Sequence, residues 1–117
     1  MRNFMLLCLL SVWIIPQIDY RVYLDMFPNI RELARCESGI SAKAFNPNDT
    51  DGRAKFGLLQ YGKSEFYSWA DKAGIDDASI WNPLHQIVVY RWAEENGLAY
   101  RWGCQKILKN KGLSLNL

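Results

Sequence analysis

The chain has 117 residues, of which half are apolar and 14% are aromatic, and its formal net charge is +2. This length suits one domain with a hydrophobic core, and the composition excludes a disordered tail. The Lys and Arg residues are scattered and form no basic stripe, so no nucleic-acid partner is predicted.

The amino-terminal segment is strongly apolar. One Arg is followed by a twelve-residue apolar run over residues 4–15. The run is shorter than a typical transmembrane helix and resembles the hydrophobic region of a secretory signal. Residues 16–19 show no clear A-x-A cleavage pattern, so a buried first helix stays open as an alternative. We therefore predict a signal peptide or membrane anchor over residues 1–20, export of the protein, and one domain over residues 21–117.

A helix is predicted within "DMFPNIRELARCESG", residues 25–39. Pro28 suits the first helical turn, and Gly39 suits the left-handed position just past the end. The apolar positions between them follow the spacing of one buried face and are Ile30, Leu33 and Ala34. Glu37 occupies the next position on this same face.

A carboxylate at position 37 would lose water and would lie near the negative end of the helix dipole. Both effects raise the pKa of a carboxyl group. An acid that keeps its proton near neutral pH is what general-acid cleavage of a glycosidic bond requires. The alternative is that Glu37 lies at the rim of the face and pairs with Arg35 or Lys43.

Two cysteines, Cys36 and Cys104, lie outside the predicted leader. An even number of cysteines in an exported chain favours a disulfide, which by chain entropy would stabilise the fold by about 4 kcal/mol. Two separate buried thiols are the alternative. Because His85 is the single histidine and no close ligand spacing occurs, we predict neither a metal site nor a cofactor.

The segment "NPNDTDGRAKFGLLQY", residues 46–61, is rich in Asn, Asp, Pro and Gly before it becomes apolar. This pattern predicts turns that lead into short extended pieces, as in a small hairpin or irregular sheet. Its Asp-x-Asp-Gly run is similar to a calcium loop. With Gly52 in the sixth place, however, Leu58 occupies the twelfth, where calcium needs a bidentate Glu, so calcium binding is not predicted.

Two further helices are predicted. In the first, Ser64 is the predicted cap and Gly74 the stop. Its apolar stripe consists of Phe66, Trp69 and Ala70. In the second, Asn82 is the cap and Pro83 begins the helix. Its predicted buried stripe consists of Leu84, Ile87, Val88 and Trp92.

His85, near the start of this later helix, is predicted to be a surface or hydrogen-bonding residue. The segment "AYRWGCQKILKN", residues 99–110, predicts a last short helix. We expect it to carry Trp102 and Cys104 back against the first helix.

The string "CESGISAKAFNPNDTDGRAKFGLLQ", residues 36–60, resembles the active-site segment of the lysozyme-like superfamily. The similarity lies in Glu-Ser at a helix end, an Asn-rich Asp-Gly turn, and Gly-Leu-x-Gln. The parallels are animal c-type lysozymes and soluble bacterial lytic transglycosylases, and the resemblance covers residues 27–108. It implies a mainly α (α+β), lysozyme-like fold with a small β-hairpin or irregular β region after the catalytic helix.

The resemblance also implies roles for individual residues. It makes Glu37 the general acid, Ser38 the hydroxyl beside it, Gly57 a close-packed turn, and Gln60 an amide that lines the sugar cleft. Asp51 matches a structural Asp. For Gln60 the alternative is an amide that only satisfies loop backbone. Aromatic residues that can stack on sugar rings, although most of them are expected in the core, are Tyr61, Tyr67, Trp69 and Tyr90.

One departure from the c-type pattern concerns the mechanism. Those lysozymes carry an Asp two residues before the Gly of the turn, and here that residue is Lys55, which cannot act as a nucleophile. Retaining and inverting glycosidases both need a second carboxyl group. Lytic transglycosylases use one Glu, which protonates the glycosidic oxygen and then assists attack by the muramic 6-hydroxyl to form a 1,6-anhydro product.

The sequence therefore predicts a monomeric lytic transglycosylase that cleaves the MurNAc-β-1,4-GlcNAc bond of peptidoglycan glycan strands with Glu37. Ser38, Asp51, Gln60 and Tyr61 are the predicted substrate-binding residues. One alternative is a hydrolytic muramidase that uses Asp49 or Asp51 as its second carboxylate. The other is a cell-wall-binding module without turnover, and chitin-like polymers also stay open as substrates.

Overall fold

The computed structural model describes residues 19–110, and this part of the chain is mainly helical with one small sheet. The helices are α1 (Tyr20–Met26), α2 (Pro28–Ser38), α3 (Lys63–Lys72), α4 (Pro83–Glu95), a 3-10 turn (Ala99–Arg101) and α5 (Gly103–Asn110). The strands are β1 (Phe45–Asn46) and β2 (Lys55–Phe56). None of the helices between residues 19 and 110 has the length and apolar character needed to cross a membrane. Nearly all of the predicted leader lies outside the described residues.

Helix α2 has the predicted bounds. Pro28 is its first residue, and Gly39 follows its end with a φ of 67°, in the left-handed region that glycine adopts without strain. The predicted face is confirmed, since Ile30, Leu33 and Ala34 are buried. The sequence did not predict α1, whose amino end is capped by the Asp19 carboxylate accepting from the Arg21 N–H.

The predicted hairpin is confirmed as an antiparallel pair in which Phe45 lies opposite Phe56 and Asn46 opposite Lys55. The turn between the strands is closed by backbone hydrogen bonds around Asp49, whose N–H donates to the Arg53 carbonyl at 3.0 Å. The two phenylalanine rings contact each other, with centroids 5.2 Å apart. The turn of the hairpin is therefore polar and faces solvent, and its two strands are joined by one pair of contacting phenylalanine rings.

Helix α3 begins earlier than predicted. Gly62 is its N-cap and makes no side-chain cap hydrogen bond, so the prediction that Ser64 caps the helix is wrong. The reason is that Lys63 already has helical conformation, which places Ser64 inside the first turn. The predicted stripe is confirmed as the buried face: Phe66, Trp69 and Ala70.

Helix α4 is capped as predicted, by the Asn82 side chain accepting from the N–H groups of Leu84 and His85. Its predicted buried stripe is wrong in part. Ile87 is buried, but Val88 is 48% exposed, and Leu84 and Trp92 are only half-buried. The residues that are buried are Gln86, Ile87, Val89, Tyr90 and Ala93. Because apolar residues lie on most sides of this helix, packing against α3 selects the buried face.

The carboxyl-terminal helix α5 packs against α2, as predicted. Cys36 and Cys104 form the predicted disulfide between these helices, with Cα atoms 5.9 Å apart and a sequence separation of 68. His85 is confirmed as a hydrogen-bonding residue, since its Nδ1 atom accepts from the Ser79 N–H at 3.0 Å. The end of α2 and the start of α5 are thus held side by side.

Candidate active site

Glu37 lies in the last turn of α2 and faces the start of α5. The backbone N–H of Cys104 donates to its Oε1 atom at 3.2 Å. Cys104 is itself bonded to Cys36, the residue before Glu37. The carboxyl group is therefore held by both helices at the point where the disulfide joins them.

The pKa of Glu37 is raised above the usual value for a glutamic acid. Burial is the main cause, and the nearby Asp49 carboxylate adds to it. The Cys104 N–H and the Lys55 ammonium oppose the rise without cancelling it. The direction agrees with the sequence prediction. Arg35, which the alternative interpretation paired with Glu37, pairs instead with Glu32 at 3.6 Å.

A small pocket, here called the acid pocket, contains Glu37 and has a volume of about 70 Å³. It adjoins a larger opening of about 770 Å³, here called the cleft, because the two share four lining residues. These shared residues are Lys55, Gly62, Glu65 and Arg101. Asp49 and Gln60 also line the acid pocket, whereas Asp51 lines the cleft. The structure thus separates the two candidate second carboxylates.

Two ion pairs lie where the acid pocket meets the cleft. Lys55 Nζ is 2.7 Å from Asp51 Oδ2, and the ammonium holds the pKa of Asp51 below its usual value. The Arg101 guanidinium is 2.6 Å from Glu65 Oε2. Its Cζ atom also lies over the Trp69 ring, 5.4 Å from the ring centroid. Lys55 is therefore engaged with Asp51, on the side of the cleft, rather than with Glu37.

Ser38, predicted to bind substrate, makes its contacts with the backbone. Its hydroxyl oxygen lies 2.6 Å from the Leu58 carbonyl oxygen and 3.1 Å from that of Ala34, and it accepts from the Ser41 N–H at 3.1 Å. The hydroxyl thereby ties the end of α2 to the loop over residues 57–60. In the structure, Ser38 is a residue that positions its acidic neighbour.

Gln60 lines the acid pocket with a backbone φ of 56°. Its Nε2 group donates to the carbonyl oxygens of Gly57 at 2.9 Å and Ala44 at 3.3 Å. The nitrogen end of this amide therefore satisfies loop backbone, which was the alternative left open by the sequence. The same contacts fix the Gln60 side chain against the wall of the acid pocket.

Gln86 is a residue that sequence reasoning missed. Its side chain is fully buried on α4, where Oε1 accepts from the Leu59 N–H at 2.8 Å and Nε2 donates to the carbonyl oxygens of Phe56 and Ile80. Gly57 has a φ of 80°, and a Cβ there would collide with the Gln86 amide. A larger residue at position 57 is thus excluded both by the backbone conformation and by space.

The start of α5 also holds this loop. The Trp102 Nε1–H donates to the Leu59 carbonyl at 2.9 Å. The signal for Gln86 was present in the sequence, because Val89, Tyr90 and Ala93 follow it at the i+3, i+4 and i+7 positions of a helix face. Gln86 is thus a polar residue on an apolar helix face, which is the same pattern that identified Glu37, and such a residue is expected to be buried and hydrogen-bonded.

The predicted sugar-stacking aromatics separate into two groups. Trp69 and Tyr90 belong to the core, and Tyr61 is only 1% exposed, with its hydroxyl donating to the Gln86 carbonyl at 2.8 Å. The Tyr61 ring packs edge-on against Phe66 and Trp102 in the core. Tyr61 therefore lines the acid pocket without offering a ring face on which a sugar could stack. Tyr67 is 40% exposed and lines the cleft.

The arrangement provides one half-buried carboxyl group with a raised pKa, in a pocket that adjoins an open cleft. Over residues 19–110, no three His, Cys, Asp or Glu side chains lie close enough together to hold a metal ion. The chain matches no family model, no curated protein and no solved structure.

Proposed function

We propose that this protein is an exported peptidoglycan lytic transglycosylase with a lysozyme-like fold, and that Glu37 is its acid and base. The observation that carries the proposal is the Glu37 carboxyl group. It is half-buried, its pKa is raised, and it lies in a pocket that adjoins a cleft of about 770 Å³. A carboxylic acid with these properties can donate a proton to a glycosidic oxygen near neutral pH.

The reaction begins with a glycan strand in the cleft. Glu37 donates its proton to the oxygen that links C1 of MurNAc to C4 of GlcNAc, and the C1–O4 bond breaks. The muramic 6-hydroxyl then attacks C1, and the Glu37 carboxylate takes the hydroxyl proton. Glu37 ends with the proton that it had at the start, and the product carries a 1,6-anhydro bond.

The surroundings of Glu37 suit both steps. Burial favours the neutral acid before cleavage, while the Cys104 N–H supports the carboxylate after the proton has left. In the cleft, Phe56 and Tyr67 offer aromatic surface for sugar rings.

The test is to replace Glu37 by Gln and to measure the release of soluble fragments from purified peptidoglycan. Loss of the acid should lower the rate by at least about 10²-fold, since proton transfer by a positioned side chain contributes on the order of 10²–10⁴. Glu94→Gln is the matched control, because Glu94 is also half-buried with a raised pKa but does not line the acid pocket or the cleft. An undiminished rate in folded Glu37→Gln protein would refute the proposal.

A second candidate, a hydrolytic muramidase, is favoured by one observation. Asp49 lines the acid pocket with Glu37 and raises its pKa, so a second carboxylate is present where water would be activated. Asp51 is a weaker candidate for this role because it is bound to Lys55 in the cleft. Mass spectrometry of the released sugars separates the two mechanisms: anhydro-muramic ends indicate transglycosylation, and reducing ends indicate hydrolysis.

Asp49→Asn sharpens this comparison. If Glu37 acts alone, the variant should keep most of its activity and its anhydro products. If Asp49 is the second carboxylate, the variant should lose hydrolysis while Asp51→Asn retains it. Binding to peptidoglycan with no fragments released by the wild-type protein would favour the wall-binding module instead.

A further inference from the structure

The charges that line the cleft are not balanced. The six charged side chains are Asp51, Arg53, Lys55, Lys63, Glu65 and Arg101. Four of them are cations and two are anions, and both anions are already taken by the pairs Lys55 with Asp51 and Arg101 with Glu65. Within residues 19–110, Arg53 and Lys63 form no ion pair and are both exposed.

The acid pocket adds two carboxyl groups and no further cation. They are Asp49 and Glu37, and burial raises the pKa of Glu37. Across the acid pocket and the cleft, four cations face three anions when Glu37 is protonated and four when it is ionised. In either case Arg53, on the hairpin, and Lys63, at the start of α3, are the cations of the cleft that form no ion pair within residues 19–110.

The position of Lys63 is not explained by the stability of its helix. It is the first residue of α3, where the positive end of the helix dipole disfavours a cation. Glu65, two residues later, has the charge that this end prefers, but it is paired with Arg101. Because Lys63 lies at an unfavourable helix position and beside an open cleft, its charge is better explained by the binding of a ligand that carries negative charge.

We infer that Arg53 and Lys63 make the cleft selective for glycans that carry carboxylates over neutral glycans with the same backbone. The inference rests on the proposed function and names the feature of the substrate that the site reads. Peptidoglycan and chitin share β-1,4 linkages and acetamido groups, so the aromatic surface of Phe56 and Tyr67 serves both. They differ in the carboxylates of the peptide stem, which is joined to the muramic lactyl group by an amide bond, and in the lactyl carboxylate that is free wherever the stem has been removed.

The experiment measures binding to Glu37→Gln protein, which should not consume its ligand, by titration calorimetry. The ligands are soluble glycan strands with peptide stems, strands from which the stems were removed, and neutral chitohexaose. Each exposed cation should contribute about threefold, so the strands with stems should bind on the order of tenfold more tightly than chitohexaose at low salt. The preference should shrink as salt is added.

Arg53→Ala with Lys63→Ala should abolish this preference, so that strands with stems and chitohexaose bind the double variant equally tightly. The matched control is Lys72→Ala with Lys109→Ala, which removes the same charge from exposed positions outside the cleft and should keep the preference. A preference that persists on strands without stems shows that the lactyl carboxylate exposed by removal of the stem is also recognised. A preference that disappears on those strands assigns the carboxylates of the stem.

Equal binding of chitohexaose and of strands with stems would overturn the inference, as would equal losses in the two double variants. The proposed function is tested separately by the fragments that wild-type protein releases. If fragments appear but charge gives no preference, only the inference is wrong. If the preference is present but no strand is cleaved, the proposed function is wrong and the cleft is a binding site for anionic glycans.

Discussion

The two sides of the site are built differently. The wall that carries Glu37 consists of the end of α2, the loop over residues 57–61 and the start of α5. It is held by the disulfide, the Ser38 hydroxyl, the Gln86 amide and the Trp102 indole. The opposite side is the hairpin over residues 45–56, which is held by one two-residue strand pair, the backbone hydrogen bonds of its turn, one partly exposed ion pair and the Gln86 bond to the Phe56 carbonyl at its end.

This difference matches what each side must do. Burial is the main cause of the raised pKa of Glu37, so the groups around it must keep their positions when water and ligand exchange. The hairpin supplies charges and aromatic surface to a ligand, and these groups must stay accessible. Stabilising contacts are therefore concentrated on the side of the acid, and the polar contacts that a ligand can replace lie on the side of the hairpin.

The largest expected effect comes from breaking the wall at its covalent link. Cys36→Ser with Cys104→Ser should lower the free energy of unfolding by about 4 kcal/mol, the chain-entropy value for a loop of this length. Urea unfolding measures the loss, and Ser68→Ala, an exposed substitution on α3 that leaves the disulfide intact, is the control. A loss equal to that of the control would show that the bridge contributes nothing to the stability of this wall.

A smaller effect is expected from removing the amide that anchors the loop. Gln86→Met keeps the shape of the side chain but leaves the Leu59 N–H and the Ile80 carbonyl without their partner. An unsatisfied buried group costs about 1–3 kcal/mol, so the unfolding free energy should fall by that amount. Gln105→Met, on the half-buried face of α5, is the control. Unchanged hydrogen-exchange protection of the Leu59 amide would contradict this role of Gln86.

The helices were predictable where the sequence carries both an end signal and a clear face. In α2, Pro28 and Gly39 mark the ends and the apolar spacing marks the buried side, and the structure agrees with both. Helix α1 buries only Leu24 among its residues, so no periodic pattern indicated it. In α4 the apolar residues lie on most sides, and packing, which is not local, decides that Val89 is buried and Val88 is exposed.

The candidate site shows the same limit. Glu37 was identified because its helix face and its neighbours in sequence were informative. Its contact with the Cys104 N–H joins residues 67 positions apart, and no local pattern reports such a pair. The separation of Asp49 from Asp51 has the same origin, because two residues of one turn are directed to different openings by the path of the hairpin.

The smallest expected effect lies on the hairpin side and links the two regions. Lys55 is a minor cause that lowers the pKa of Glu37, and it is the main cause that lowers the pKa of Asp51. Lys55→Met keeps the length of the side chain and removes its charge. The pKa of Glu37 should therefore rise further, while that of Asp51 should return toward its usual value.

The sign of the effect on activity follows from the proposed role of Glu37 as an acid. Cleavage needs the protonated form and is lost as pH rises through the pKa, so a higher pKa moves the alkaline limb of the kcat/KM profile to higher pH. Lys63→Met removes a charge from the same cleft and is the control, because Lys63 is not among the groups that shift Glu37. If the limb moves to lower pH in Lys55→Met, or moves equally in both variants, then the hairpin does not act on the acid through this ammonium group, and the two sides of the site are electrostatically independent.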